Sequence, residues 1–257
     1  MTAASGMKSQ QLQVDTIANN IANVNTPAFK KNTLAFRELL YETIHEPGAP
    51  TGASTMAPTG LQVGSGTEVA SSMKLFRQGE IQPTANPFDL AIEGQGFFRV
   101  RLGNGDFRYT RDGTFRPDGN GQLVTADGFP MDPPIQIPSD AIEVIIGGDG
   151  LVSVLKSVGA PAEPISNIGL FRFPNPTGMK AQGNNLYTET DSSGAVQQAS
   201  PGESGTGAVR QGYVERSNVA VVDELVGLIL AQRNYEINSR AIRVSDEMLQ
   251  QVNQMAR

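Results

Sequence analysis

Apolar residues recur at helical spacing near both ends of the chain, whereas the middle lacks that pattern. Met7, Val14 and Ile21 are spaced by seven, with Ile17 and Val24 offset by three. Val221, Leu228, Tyr235, Ile242 and Leu249 repeat the same spacing over about five heptads. A seven-residue repeat gathers side chains on one narrow seam of a helix, and a seam of that kind needs a partner helix to cover it. The two ends can therefore pair with each other, or with copies of the chain.

The first seam predicts an amphipathic helix from Ser5 to Asn23, stopped near Asn25-Thr26-Pro27 because a residue before proline is disfavoured in the α conformation. Asn19, Asn20, Asn23 and Asn25 crowd its end. They read either as a frayed C-terminal cap or as amides that hydrogen-bond across a subunit contact without adding charge. Ser217-Asn218 offers an N-cap for the last helix, and Asp223 and Glu224 in its first turns suit the helix dipole. Running to Met255, that helix spans roughly 55 Å at 1.5 Å per residue, longer than a small domain is wide. Phe36, Leu39, Leu40 and Ile44 step by threes and fours and predict a short helical turn within Leu34 to Ile44. His45 to Gly66, rich in Gly, Pro, Ser, Thr and Ala, reads as a linker or extended arm.

From about Val69 to Tyr213 the signals change to strands and turns. Ala91-Ile92, Phe97 to Leu102, Phe107 to Thr110, Leu123 to Thr125, Glu143 to Ile146 and Leu151 to Leu155 are β-prone runs. Between them stand Gly103-Asn104-Gly105, Asp112-Gly113, Asp118 to Gly121, Asp127-Gly128 and Gly147 to Gly150, sequences that favour tight turns. Short strands separated by turns predict an antiparallel β domain. The expected class is α+β: terminal helices paired over 1–27 and 212–257, an arm over 28–69, and a β domain over 70–211.

Composition removes most enzymatic chemistry. The 257 residues include no Cys and one His, so thiolate nucleophiles, Cys-ligated metals and most nucleophile–base pairs are excluded. His45, flanked by Glu42 and Glu46, reads as a solvated loop residue. The DG turns lack the spacing of a calcium loop, and Gly94-Gln95-Gly96 is only a fragment of a dinucleotide fingerprint. No cofactor is expected. A net charge of −6 without a basic stripe argues against nucleic acid. The N-terminal segment lacks a cleavable-signal pattern and a Lys/Arg-rich face, and no run is long enough to insert in a membrane. Arg233, Arg240 and Arg243 alternate with Glu236, Asp246 and Glu247, as on a solvated face or in inter-subunit ion pairs.

Ile17-Ala18-Asn19-Asn20-Ile21-Ala22-Asn23-Val24-Asn25-Thr26-Pro27-Ala28-Phe29-Lys30 resembles the N-terminal signature of bacterial flagellar rod and hook proteins. Gln78-Gly79, Asp89 to Ile92, Gly94 to Phe98, Tyr109 to Gly113 and Gly121 to Thr125 are similar to the central motifs of that family. Gln211 to Glu215, Ser217 to Val219 and Tyr235-Glu236 are similar to its C-terminal signature. Phe36 to Ile44, Pro47 to Ala49 and Thr59 to Gly66 resemble the long arm of the family's distal-rod branch, with a proximal-rod or hook-type subunit as the alternative. The resemblance implies a structural, non-enzymatic subunit of a rigid torque-transmitting tube, with terminal helices coiled around an export channel and a β domain outside. The implied partners are further copies, proximal rod and hook proteins, a surrounding ring bushing and a type III export machinery. The implied place is a periplasm-spanning rod, reached without a cleavable signal peptide. The implied assembly residues are Met7, Val14, Ile17, Asn20, Ile21, Asn23 and Val24 on the first helix. On the last they are Val221, Leu225, Leu228, Tyr235, Ile242 and Leu249. Phe36, Leu39, Leu40, Tyr41, Ile44, Leu61 and Val63 are the implied arm contacts.

Overall fold

The computed structural model describes residues 2–48, 50–52, 55–56, 59–157, 161–203 and 205–255, and among these it forms two long helices, twenty-two short strands and one short 3-10 helix (Pro176–Gly178). Ala49 and Pro58, both within the expected arm, lie outside the described residues. The chain divides into two units. One contains residues up to 21, 32–73 and from 220 onward; the other contains 22–31 and 74–219.

The first unit contains helix α1 (Thr2–Ala22) and helix α2 (Val221–Met255). Strands β1 (Asn32–Glu38), β2 (Tyr41–His45), β3 (Pro50–Gly52), β4 (Thr55–Met56), β5 (Leu61–Gly64) and β6 (Thr67–Lys74) run between them in sequence. β1 pairs with β6, β2 with β5 and β3 with β4, so the segment folds back on itself as two-stranded ladders. The helical turn expected within Leu34 to Ile44 is absent. Residues 67–74 and 61–64 supply a hydrogen-bonding partner that local periodicity cannot reveal. Phe36, Leu40 and Ile44 are exposed, so their three- and four-residue steps mark no buried helical stripe.

The start of α2 also departs from the expected cap. The helix begins at Val221, and Glu224 N–H donates to Ala220 O at 3.1 Å. Asn218 is committed elsewhere: its Oδ1 accepts from Lys31 N–H at 2.7 Å, and its Nδ2 donates to the carbonyls of Leu75 and Arg77. A side chain bound to three backbone groups of its own β unit cannot cap a helix that starts three residues later.

The second unit is the antiparallel β domain. Its strands are β7 (Ile81–Pro83), β8 (Leu90–Glu93), β9 (Phe98–Arg101), β10 (Phe107–Thr110), β11 (Arg116–Pro117), β12 (Leu123–Val124), β13 (Met131–Asp132) and β14 (Glu143–Ile146). They continue as β15 (Leu151–Leu155), β16 (Glu163–Asn167), β17 (Leu170–Arg172), β18 (Lys180–Gly183), β19 (Leu186–Thr188), β20 (Gln197–Ala199), β21 (Ala208–Gln211) and β22 (Tyr213–Glu215). The largest sheet runs β13-β9-β10-β19-β18, and β14-β15-β16 form a meander. Alternation decides which face is inside: Val144 and Ile146 of β14, and Val152 and Val154 of β15, are buried, whereas Glu143 and Ile145 face out. They join Leu90, Phe98, Phe115 and Leu170 in one core, each such side chain contributing about 1.5–3 kcal/mol by leaving water. A second cluster packs Phe97, Tyr109, Phe171, Phe173 and Tyr187 largely edge to face. The last strands close the domain by long-range pairing, β21 onto β8 and β22 onto β7.

Most glycine turns fall where expected, joining β9 to β10, β11 to β12 and β14 to β15. Asp112-Gly113 is different, because it joins no hairpin. Gly113 O accepts from Leu90 N–H at 2.9 Å, and a Cβ at Gly113 would lie 1.6 Å from Leu90 O. The glycine is there for a close backbone approach.

Candidate self-assembly surfaces and a buried charge network

Helices α1 and α2 pack antiparallel in a single register. Gly6 lies against Asn238, Ile17 against Gly227, and Asn20 against Glu224. Each step toward the end of α1 is matched by an equal step toward the start of α2. The close approach depends on small residues: a Cβ on Gly6 would sit 3.0 Å from Asn238 Nδ2, and one on Gly227 would sit 3.4 Å from Ile17 Cδ1. Ser9 and Ala231 are buried on the same faces. A groove of about 410 Å³ beside the pair is lined by Gln11, Val14, Gln232, Tyr235 and Glu236.

The residues singled out from sequence fall into different environments. Ile17 and Asn20 are buried, and Asn20 spends its amide within the chain. Met7, Val14, Ile21, Val24 and Asn23 are half-buried, with Asn23 Oδ1 accepting from Thr26 Oγ1–H. Leu228 and Ile242 are half-buried, whereas Val221, Leu225, Tyr235 and Leu249 are exposed. Leu39 is half-buried, and Phe36, Leu40, Tyr41, Ile44, Leu61 and Val63 are exposed, Leu40 by 91%.

A second apolar stripe was missed. Val222, Val226, Ile229, Ile237, Val244 and Met248 are exposed, and at 100° per residue they lie opposite Glu224 and Ala231. Val222 is 72% exposed and Ile237 62%. The seven-residue pairs Val222/Ile229 and Ile237/Val244 carried the signal, but Arg233 and Arg240 interrupt the stripe and make it read as a mixed-charge face. α2 thus has two apolar faces, of which α1 covers one.

The β unit holds the main electrostatic feature, also missed. Lys30, Arg111 and Glu215 are all buried. Lys30 Nζ donates to Glu215 Oε1 at 2.5 Å and Arg111 Nε to Oε2 at 2.9 Å. Gly79 N–H donates to Oε1 at 2.8 Å, and Glu215 O accepts from Ala28 N–H at 2.7 Å. Arg111 also donates to the carbonyls of Gly94, Gly96 and Ile92, and Lys30 to that of Arg77. One carboxylate therefore binds the segments that follow α1 and precede α2 to the middle of the β unit. Burial pulls the Lys30 ammonium below its ordinary pKa, with Arg111 acting in the same sense and Glu215 opposing. With partners 104 and 185 residues apart, no local spacing announces this network.

Burial also pushes the phenols of Tyr109 and Tyr187 above the usual tyrosine range. Above pH 10 the unfolded chain releases protons that these folded phenols keep, so their contribution to stability falls as pH rises. In a 295 nm absorbance titration, Tyr109 and Tyr187 should resist ionisation until the β unit unfolds. Ionisation of both near pH 10 in folded protein, with loss of that signal in Phe variants at these two positions, would refute this.

Among the described residues no group of three His, Cys, Asp or Glu side chains could hold a metal, and no helix is long and apolar enough to cross a membrane. His45 is exposed at the end of β2.

Comparison with known proteins identifies the class to which this arrangement belongs. Residues 1–30 match the "Flagella basal body rod protein" family, 91–154 the "Flagellar hook protein FlgE/F/G D1 domain", and 210–255 the "Flagellar basal body rod FlgEFG protein C-terminal". The chain belongs to the flagellar basal-body rod and hook family, which is structural rather than enzymatic. Flagellar basal-body rod protein FlgG of Borreliella burgdorferi is 46% identical, over 100% of this chain and 97% of that protein. FlgG of Buchnera aphidicola from Schizaphis graminum is 45% identical over 97% and 96% of the two chains. The hook-basal body complex protein FlhP of Bacillus subtilis is 30% identical over 98% and 97%.

Proposed function

We propose that the chain is a structural subunit of the distal flagellar rod, and that its activity is polymerisation into a stiff torque-transmitting tube. The observation that carries this reading is the exposed second stripe of α2, from Val222 to Met248, on a helix whose opposite face is already taken by α1. An apolar face left exposed among the described residues is suited to burial by an identical neighbour. A head-to-tail contact that does not close into a ring extends into an open helical filament. In that filament the helical parts, 1–27 and 212–257, form a coiled-coil layer around an export channel. The segment 28–69 acts as an arm, offering Phe36, Leu40, Tyr41, Ile44, Leu61 and Val63 to neighbouring subunits, and 70–211 forms the outer domain.

The full-length similarity to proteins named FlgG favours the rod over the hook. It also supports the expected partners: further copies, proximal rod and hook proteins, the ring bushing and the type III export machinery. The proposed location is the periplasm-spanning part of the basal body. A helix of about twenty residues is marginal alone in water, so α1 gains order as neighbours bury its flanks. Half-buried Met7, Val14 and Ile21 are the side chains concerned.

Removing residues 1–24 tests the reading. Purified full-length protein at high concentration should sediment as straight rods in negative-stain micrographs, and the truncated protein should remain in the supernatant. Normal rods from the truncated chain would overturn the assembly role of α1.

A further inference from the structure

The contact between α1 and α2 relies on small residues, and small residues define register poorly. Ile17 sits over Gly227. One turn further along the same face is Ala231, also small and buried. A slip of α1 by four residues, about 6 Å at 1.5 Å per residue, would seat Ile17 over Ala231 with little loss of packing. Gly6 would then move from Asn238 to Ile242.

Asn20 does not tolerate that slip. Its Nδ2 donates to Glu224 Oε2 at 3.0 Å and to Asn32 O at 2.9 Å, while its Oδ1 accepts from Asn32 N–H at 2.9 Å. The amide is 1% exposed and the Glu224 residue 3%. In the slipped register Asn20 would face Leu228, which offers no acceptor, and Glu224 would lose the amide proton it now accepts. A buried polar pair that loses its mutual hydrogen bond is costly, whereas an apolar pair in its place is indifferent to position. In coiled coils a single buried asparagine fixes register at some expense of stability.

We infer that Asn20 is a register-setting residue: with Glu224 and the backbone of Asn32 it locks α1, α2 and the start of β1 into one of two otherwise near-equivalent alignments. Register decides which residues of α2 stand beside the end of α1. It therefore decides whether the outer stripe is presented in the same alignment by every subunit. That consequence rests on the polymerisation reading; the register itself does not, and it is tested on soluble protein.

The chain has no cysteine, so paired substitutions report register without background. Gly6→Cys with Asn238→Cys reads the observed alignment, and Gly6→Cys with Ile242→Cys reads the slipped one. Each pair is placed in full-length protein and in full-length protein carrying Asn20→Leu/Glu224→Leu. Oxidation is carried out at low protein concentration, and intramolecular disulfides are counted by gel mobility. With Asn20 present, the 6/238 pair should close and the 6/242 pair should stay open. In the Leu/Leu background the 6/242 yield should rise at least fivefold at the expense of 6/238, with no fall in melting temperature. The single variant Asn20→Leu should show the same redistribution with lower stability. An unchanged 6/238 yield with an open 6/242 pair in both backgrounds would overturn the inference. Loss of both cross-links in both backgrounds would also overturn it, since neither alignment would then be held even with Asn20 in place. Closure of both pairs with Asn20 intact would do the same.

Discussion

Glu215→Ala is expected to destabilise the β unit by about 3–5 kcal/mol, because it leaves two buried cations without a counter-charge. A domain's total stability is about 5–15 kcal/mol, so the variant should be close to unfolding. For a unit of this size the fall in melting temperature is about 6–20 °C. The carboxylate is fully buried and accepts from Lys30, Arg111 and Gly79, so water cannot replace it without opening the core. Lys30→Met should cost less, about 1–3 kcal/mol, because Arg111 and Gly79 N–H still donate to the Glu215 carboxylate and Asn218 Nδ2 still donates to the Arg77 carbonyl. Replacing all three charges with Met or Leu removes the desolvation cost together with the attraction but takes these partners from Gly79 N–H and the Gly94 and Gly96 carbonyls, so it should still lower stability, by less than Glu215→Ala. Near-UV circular dichroism reports the transition through Tyr109 and Tyr187, which lie in the aromatic cluster of the same unit. A Glu215→Ala protein melting within about 1 kcal/mol of the parent would show that the network is not holding the unit together.

The placement of Glu215 gives this prediction a mechanical meaning. Its side chain joins the segment after α1, through Lys30, to Gly79 and to Arg111 in the body of the β unit. Because β22 also pairs with β7, the domain is completed only when the last part of the chain before α2 has arrived. A subunit that carries torque benefits from having such segments held by charge-assisted bonds rather than by solvent-exposed turns.

Sequence reasoning found what local periodicity encodes. Alternation at Val144/Ile146 and Val152/Val154 marks strands, and seven-residue spacing marks both helices, because each pattern is complete within a short window. It misread Phe36 to Ile44, where the strands' partners lie about twenty to thirty residues away and Phe36, Leu40 and Ile44 remain exposed. It misplaced the cap of α2, since Asn218 bonds to Lys31, Leu75 and Arg77, none of them its sequence neighbours. The Lys30–Glu215–Arg111 network was invisible for the same reason. Each residue alone reads as an ordinary surface charge, and only the fold removes it from water. The expectation for Asn20 left open a cap or a subunit contact. The structure gives its amide a third use, joining α1 to α2 and β1 inside one chain.

The outer stripe of α2 yields the largest effect expected on assembly. Val226→Asp/Ile229→Asp places two charges where the proposed neighbour packs, on side chains that are 53% exposed in the isolated chain. Substitutions at such positions shift folding stability by about 0.5 kcal/mol or less, so the melting curve should barely move. Covering one such side chain completely is worth about 1.5–3 kcal/mol, and half of that area is still open here. Losing two, and desolvating two carboxylates besides, should raise the critical concentration for polymerisation by at least about a hundredfold. The comparison that isolates the face is Asp246→Ala, which changes an exposed charge on the other side of the helix. It should leave polymerisation within about threefold of the parent, as mutation of exposed charges usually does. Sedimentation across a concentration series measures both. Polymerisation undiminished in the Val226→Asp/Ile229→Asp protein would mean that this stripe faces the open channel or solvent. The subunit contact would then have to be sought on the flanks of the pair, where Val14 and Tyr235 line the groove.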